Sequence, residues 1–235
     1  FASCTNTAQK PKEFVSGAVV TEKKISQIIV QGEDGKHKYK YHYTLEYDEK
    51  GRVLKIEPDH SDIFGTFYCE YDDDMFRMGK GDMYVTGSLN EEGFVESAGE
   101  YDFLEELLVG KMKYNNKGQL VSLSNSDMEK VSFTWSDDNM VRLNVMDEQI
   151  NFVYTSLENK NKFGFLLLID KENCTPVYPY YMLLGTPSKN LPQSIGQGDS
   201  AINYRYKQDE DGYINEMTLI YPDSRLTSYT FVYDL

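Results

Sequence analysis

The sequence is poor in the residues that most often carry catalysis and metal binding. Its 235 residues include only three histidines, three cysteines and one tryptophan. His37 and His42 are close in sequence, but a five-residue offset places them on opposite faces of a continuous strand. The sequence also has no Gly-rich phosphate loop, no Gly-x-Ser-x-Gly motif and no Cys-x-x-Cys pair. We therefore assign no catalytic, cofactor-binding or metal-binding residue, and we expect no cofactor.

Positive charge is scarce as well. The chain has 24 Lys and Arg against 38 Asp and Glu, which gives a formal net charge of −14. Its densest basic group, Lys36, Lys38 and Lys40, falls on the polar face of one predicted strand. An acidic protein without a basic patch repels phosphate groups. A nucleic-acid partner is therefore not expected.

Long hydrophobic runs are missing too. The longest, at 163–169 and 180–184, are far shorter than the ~20 residues that a membrane-spanning helix needs. The chain is nevertheless 40% hydrophobic and 14% aromatic, with 19 tyrosines. That composition argues against disorder and is sufficient for a folded core.

A degenerate hairpin pattern recurs along most of the chain. In its best copy, aromatic residues and a leucine alternate with polar residues over 39–47, which predicts a strand with one buried face. Asp48 and Gly51 then predict a tight turn, because aspartate bonds to its own downstream backbone and glycine accepts positive φ. Asn139 stands in the place of Gly51 in one later copy. The later copies begin at positions 71, 89, 114, 135 and 206.

These repeats predict an all-β fold, an antiparallel meander of hairpins that forms a barrel-like or strongly twisted sheet. We expect a flexible tether at 1–18 and a single β domain over 19–235. The range 157–200 loses the two-residue period, and its apolar runs and prolines predict a short helical insertion. Within it we expect one helix near 163–171 and another ending at Leu184.

The first four residues resemble a bacterial lipobox. Phe1-Ala2-Ser3-Cys4 places two small residues before a cysteine, as at the cleavage site of a lipoprotein signal peptide. The chain does not begin with Met, so we expect its natural start upstream. In this interpretation Cys4 is the lipid attachment site, whereas in the alternative it is an ordinary residue of a fragment. Cys69 and Cys174 either form a disulfide or are buried free thiols.

The motif Tyr47-Asp48-x-x-Gly51-Arg52-Val53 is similar to the YD repeat of large bacterial shell proteins, although too few copies occur here to build a shell. Together with the lipobox, the segment 184–192 and the late copy at 206–214, it resembles a family of Bacteroides-type envelope lipoproteins. That family is a domain of unknown function with a porin-like β fold. The resemblance implies this fold and an outer-membrane lipoprotein in the envelope of a Gram-negative bacterium. It implies no catalytic residue.

The favoured functional interpretation is a non-enzymatic, lipid-anchored binding or scaffold protein. We expect a monomer that contacts the membrane through its lipid only and binds an unidentified envelope protein or glycan. Tyr178, Tyr180 and Tyr181 lie outside the repeat and either line a ligand cleft or pack the insertion onto the sheet.

Two alternatives stay open. The first is an envelope hydrolase acting on glycan or peptide, with carboxylates in a cleft beside the insertion. The second is a small outer-membrane β-barrel, because apolar and polar residues alternate up to the C-terminus over 229–235. Charged residues interrupt many of the strands, which favours a barrel surrounded by water.

Overall fold

The computed structural model describes seven ranges of the chain: 23–34, 37–59, 65–99, 110–125, 128–145, 148–164 and 178–234. Within these ranges it contains sixteen strands, a four-residue helix α1 (Tyr178–Tyr181) and a 3-10 turn (Gly198–Ser200). The strands are β1 Ile25–Asp34, β2 His37–Tyr47, β3 Val53–Pro58, β4 Phe67–Asp72, β5 Met75–Lys80, β6 Met83–Leu89, β7 Val95–Ala98, β8 Gly110–Tyr114, β9 Leu120–Asn125, β10 Met128–Ser136, β11 Asn139–Val145, β12 Glu148–Glu158, β13 Asn190–Ile195, β14 Ile202–Gln208, β15 Ile214–Ile220 and β16 Leu226–Tyr233. The predicted tether at 1–18, including Cys4, lies outside the described residues.

The strands form a closed antiparallel barrel in which each strand pairs with its neighbours in sequence. The barrel closes where β1 pairs with β16, with Ile28 opposite Phe231 and Val30 opposite Tyr229. This topology confirms the predicted all-β meander of hairpins. Of the two shapes that the repeats allowed, it is the barrel that forms.

Side chains along each strand alternate between the barrel interior and the outer wall. On β2, Tyr43 and Leu45 are buried, whereas Thr44 and Glu46 between them are exposed. The exposed polar positions of the outer wall include Lys40, Glu57, Glu70, Arg77, Glu96, Lys111, Lys113, Thr134, Arg142, Arg205 and Lys207. Exposed large hydrophobic residues are few and scattered: Leu54, Tyr68, Met75, Val153, Leu226 and Val232. The apolar face of the sheet is therefore the inner one.

The interior is packed with apolar side chains. Barrels of roughly 16 to 18 strands are wide enough to hold a water-filled channel. Here the inward residues of nearly every strand belong to one buried cluster. The segment between β12 and β13 adds to it, since the ring of Phe163 lies 4.8 Å from that of Phe231 and the ring of Tyr180 lies 6.0 Å from that of Phe76. A protein core thus fills the barrel.

The turns of the sequence repeat share one end of the barrel. In the best copy, the Asp48 carboxylate accepts hydrogen bonds from the main-chain N–H groups of Lys50 and Arg52, and Gly51 N–H donates to the Asp48 carbonyl. Gly51 has a φ of +82°. Turns beginning at Asn90, Asn115 and Asp209 repeat these contacts. These copies of the repeat therefore share a turn geometry as well as a sequence pattern.

One detail of the predicted turns is wrong. In the copy that follows Trp135, the residues with positive φ are Asp137 (+50°) and Asp138 (+62°), and Asn139 does not take the place of glycine. A two-residue turn with positive φ at both positions matches the twist of the flanking strands. Asn139 instead begins β11 and bonds through its side chain to Asn190.

The insertion is shorter than its predicted range. Strand β12 continues to Glu158 and β13 occupies Asn190–Ile195, so 157–158 and 190–195 belong to the sheet. The predicted second helix is present as α1, and Gly185 after it has a φ of +94°. Of the predicted helix at 163–171, positions 163 and 164 are not helical, and the remainder lies outside the described residues. Within the described part of the chain, no helix is long and apolar enough to cross a membrane.

Candidate ligand-binding site

The repeat end of the barrel is closed by aromatic side chains that bond to the backbone. Each of these side chains lies on an even-numbered strand. Its hydroxyl or indole N–H donates a hydrogen bond to a main-chain carbonyl near the start of the preceding strand. In six of these bonds the donor and acceptor atoms are 2.7–3.0 Å apart. The pairs are Tyr47 to Ile25, Tyr71 to Val53, Tyr114 to Val95, Trp135 to Leu120, Tyr154 to Met140, Tyr206 to Pro192 and Tyr233 to Ile214. Burial raises the pKa of the Tyr47 hydroxyl, so this donor stays protonated. These rings are structural anchors.

The described residues between β12 and β13, at 159–164 and 178–189, dock onto the same end, and we call them the plug. Its first residues form another copy of the repeat turn, in which Phe163 N–H donates to the Asn159 side chain and Lys162 takes a φ of +56°. The amide of Asn159 also donates to the carbonyls of Phe163 and Ser188. Farther along, Thr186 N–H donates to the carbonyl of Gly118. The plug is thus hydrogen-bonded to the turns around it.

Tyr178, Tyr180 and Tyr181 belong to the base of the plug. Their side chains are 4%, 0% and 8% exposed, and all three are part of the buried cluster. Burial raises the pKa of Tyr178 and of Tyr180 well above the usual range. The structure therefore gives these rings the packing role, which was one of the two roles open from sequence, and places them away from solvent.

The described residues include Cys69 and the side chains that could bind a metal ion. Cys69 on β4 is a buried free thiol, and burial raises its pKa. Cys174 lies outside the described residues. Among the residues that the structure describes, no three His, Cys, Asp or Glu side chains group closely enough to hold a metal ion.

Carboxylates beside the plug are engaged by lysines. Lys23 forms ion pairs with Asp209 and Asp211 in the β14–β15 turn, and its hydrogen bond is the main cause that lowers the pKa of Asp209. Lys117 holds Asp138 in the same way and lowers its pKa. Both carboxyls with lowered pKa are ionised near neutral pH. Neither is suited to donate a proton as a general acid.

A cleft opens at the opposite end of the barrel, between the β1–β2 hairpin and the β15–β16 turn. We call it the rim cleft. Its volume is about 950 Å³, within the roughly 300–1,000 Å³ typical of ligand sites. Its lining residues are Gln31, Gly32, Glu33, Lys38, Tyr39, Lys40, Asp223, Ser224, Arg225, Leu226 and Ser228.

The ring of Tyr39 has a fixed position on the inner face of the wall, beside the rim cleft. Its hydroxyl lies 3.1 Å from the hydroxyl of Thr227, and its ring stacks on that of Tyr41 at 5.4 Å. The ring occupies the space that a side chain at position 32 would need, because a Cβ on Gly32 would come within 2.4 Å of the Tyr39 oxygen. The absence of a side chain at Gly32 therefore leaves room for an aromatic surface at the barrel rim.

The polar groups of the cleft lie on the other, outward face of the same strands. Lys40, Gln31 and Ser228 are direct cross-strand partners on β2, β1 and β16, so their side chains form one polar row. Lys38 pairs with Glu33 at 3.0 Å across the hairpin. The cleft thus presents hydroxyl, amide and charged groups on the outer side of the barrel rim.

The sequence offered little sign of this site. Position 39 is part of the alternating strand pattern, and Gly32 lies within β1, which continues to Asp34. Asp223 and Arg225 are more than 180 positions away from Tyr39. Only the closure between β1 and β16 brings the two regions together, and no local pattern predicts that pairing.

Fold and site together define a closed sixteen-stranded antiparallel barrel with a packed core, a plugged end and a polar cleft at the other rim. Among solved structures, the chain is similar to a porin-like protein from Bacteroides uniformis, with a TM-score of 0.65 and 13% sequence identity over 89% of this chain and 98% of that one. No family model and no curated protein sequence matches the chain. At this identity the similarity establishes the fold.

Proposed function

We propose that this chain is a non-enzymatic binding protein of the bacterial cell envelope, anchored by a lipid on Cys4 and presenting the rim cleft to its ligand. The observation that carries the proposal is the polarity of the barrel wall, with charged residues such as Glu70 and Arg77 outside and residues such as Met78 inside. Barrels embedded in lipid have the reverse arrangement, with an apolar outer band. A wall of this kind stands in water and needs an anchor to stay at a membrane.

The state of the carboxylates supports binding over hydrolysis. Glycosidic hydrolysis uses one carboxyl that is protonated at working pH. Beside the plug, ion pairing with lysine lowers the pKa of both Asp138 and Asp209. These groups hold turns in place through Lys117 and Lys23.

The end of the barrel at which the chain enters concerns the orientation of the anchored protein. Lys23 and Ile25 lie at the plugged end, so residues 1–22 join the barrel there. The rim cleft lies at the opposite end. A lipid on Cys4 would therefore be connected to the barrel through its plugged end.

The envelope location is supported by the lipobox-like start and by the fold shared with a porin-like protein of a Gram-negative bacterium. We infer an outer-membrane lipoprotein that acts as a monomer. Its membrane contact is through acyl chains.

Metabolic labelling with an alkyne fatty acid tests the anchor. The full chain is expressed behind a lipoprotein signal peptide in a Gram-negative host, beside Cys4→Ser and the control Cys174→Ser. We expect label and membrane association for the unsubstituted chain and for Cys174→Ser, and neither for Cys4→Ser. Label that survives Cys4→Ser contradicts the proposal.

A screen of the purified full chain against envelope glycans and proteins tests the binding role. We expect a saturable ligand whose affinity falls on Lys40→Ala, with no turnover of that ligand. Lys113→Ala is the matched control, because Lys113 is exposed on the outer wall and is not part of the cleft. Sustained hydrolysis, or equal losses in both variants, contradicts it.

A further inference from the structure

We propose that the plugged end of the barrel opens as one unit, with its hairpin tips moving apart while the strand pairs at the other end stay closed. The hairpin tips are the repeat turns with the strand ends beside them. The seven aromatic side chains that donate to main-chain carbonyls at this end, here called the aromatic anchors, link each tip to the next. This end lies away from the rim cleft, so the inference does not depend on the ligand.

The strands that each anchor joins part before they reach the plugged end. The register between β1 and β2 ends at Gln27 opposite Thr44. The anchor then joins Tyr47, three residues farther along β2, to Ile25, two residues earlier on β1. The other six anchors repeat this offset of three and two residues beyond the last ladder pair. Those last pairs are Lys55 with Tyr68, Ser97 with Lys111, Ser122 with Ser132, Arg142 with Asn151, Ser194 with Asn203 and Glu216 with Thr230. Each anchor therefore spans an opening between two strands of the wall.

Among the described strands, the pair β5–β6 lacks both the anchor and the opening. Leu89 stands in the anchor position, and the register continues to Met75 opposite Ser88. Beyond that pair, the N–H of Leu89 donates to the carbonyl of Asp74, 2.6 Å away. Anchor and opening thus occur together, which indicates that the aromatic side chain takes the place of main-chain bonds between the strands.

The same strand pairs stay joined at the other end of the barrel. The register of β1 with β2 continues to Asp34 opposite His37, and that of β15 with β16 continues to Ile220 opposite Leu226. A region with fewer main-chain bonds between its strands opens at a lower free energy. The plugged end is therefore the part of the wall that opens first.

The plug connects the tips to one another. Main-chain bonds join it to three of them, from Val95 N–H to Leu183, from Thr186 N–H to Gly118 and from Lys189 N–H to Asp138. The ammonium of Lys160 donates to the carbonyl of Asp211 in the β14–β15 turn, at 2.7 Å. Because these four tips share one partner, they open together.

Hydrogen–deuterium exchange of the full chain, followed by mass spectrometry, tests the opening in the unsubstituted protein. Residues 45–47, 152–154 and 204–206 border openings, whereas 76–79 and 85–88 belong to the continuous pair β5–β6. We expect the first set to exchange at least about tenfold faster than the second. Equal protection of the two sets overturns the proposal.

Tyr206→Phe tests whether the tips open as a unit, since it removes the hydroxyl that bonds to the carbonyl of Pro192. We expect exchange to rise about three- to tenfold in the β14–β15 tip and equally in the tips of β8–β9 and β10–β11, but not in the ladders at the other end.

Tyr39→Phe is the matched control, because it removes a hydroxyl bonded to Thr227, 3.1 Å away, at the other end of the barrel. It should leave exchange at the tips unchanged. A rise confined to the β14–β15 tip in Tyr206→Phe would mean that the tips open independently, and a uniform rise along the chain would mean global unfolding. Either result overturns the proposal.

Discussion

The hydroxyl of Tyr47 donates a hydrogen bond to the main-chain carbonyl of Ile25, 2.8 Å away, and so joins the end of β2 to the start of β1. The same relationship recurs on six further even-numbered strands. Strand β6 is the exception, since its repeat begins with Leu89, which has no donor. The leading aromatic residue of the repeat is thus a device that ties each hairpin together at the plugged end.

Replacing Tyr47 by Phe tests the anchor directly. The substitution removes the donor and leaves the Ile25 carbonyl without its partner, so we expect a loss of about 1–2 kcal/mol in the free energy of unfolding. Urea titration measures it. The control is Tyr68→Phe on the exposed outer wall, which should change stability by less than about 0.5 kcal/mol. Equal effects of the two substitutions would show that the Tyr47 bond contributes nothing.

The turn glycines differ in what surrounds them. Gly118 has a φ of +71°, and a Cβ at this position would lie 2.9 Å from the Thr186 hydroxyl oxygen and 3.0 Å from the Phe94 ring. Gly81 has a φ of +55°, and a Cβ there would meet no atom within 4 Å. Both Gly→Ala changes incur the cost of a left-handed conformation, about 1–2 kcal/mol. Gly118→Ala should cost at least about 1 kcal/mol more, since it also displaces the plug. Thermal unfolding of the two variants compares them, and equal costs would mean that the plug does not press on this turn.

Asn159 holds the start of the plug through three hydrogen bonds from its buried side chain. We expect Asn159→Ala to destabilise the protein by about 2–4 kcal/mol, because it leaves buried main-chain groups unpaired. Asn116→Ala, in the exposed part of the β8–β9 turn, is the control. Chemical denaturation of both variants gives the difference, and a loss below about 1 kcal/mol at Asn159 would contradict this role.

The anchor tyrosines make the fold sensitive to alkali. Burial raises the pKa of Tyr154 from its ordinary value of 10 to about 12, and burial likewise raises the pKa of Tyr47, Tyr114 and Tyr206. When the pKa of a group is higher in the folded protein than in the unfolded chain, its protonated form stabilises the fold. This contribution is complete below the pKa of the unfolded chain and is lost as the pH rises through the pKa of the folded protein. For Tyr154 that window runs from pH about 10 to about 12 and is worth about 3 kcal/mol.

We therefore expect the tyrosinate absorbance at 295 nm of the buried anchors to appear together with the loss of β-sheet circular dichroism above pH about 10, after that of exposed residues such as Tyr68. Tyr154→Phe should make the unfolding transition less steep, since one buried phenol no longer titrates. Complete titration of all tyrosines in a barrel that stays folded would contradict the buried anchors.

The sequence could predict what is encoded locally. The alternation over 39–47 and the Asp48–Gly51 turn led directly to β2, β3 and their hairpin. The all-β meander follows from repetition of that unit. The loss of the two-residue period over 157–200 indicated a short helix there, which is α1.

Other features depend on contacts between distant residues. The copy of the turn at 159–163 was hidden because Lys162 replaces glycine, and its positive φ is imposed by the bonds of Asn159. Pro192 falls within the predicted insertion but lies in β13 at a register shift opposite Tyr154, where a strand tolerates proline. The rim cleft depends on the pairing of the first and last strands, which no local pattern encodes.

The most direct test of the account is the behaviour of the Cys4→Ser chain in buffer without detergent, measured by size-exclusion chromatography with light scattering. A barrel with its apolar face inside should elute as a folded monomer of about 27.1 kDa. A chain that aggregates without detergent, and folds only when micelles or lipid are added, would show that the outer wall belongs in a membrane and would contradict the account.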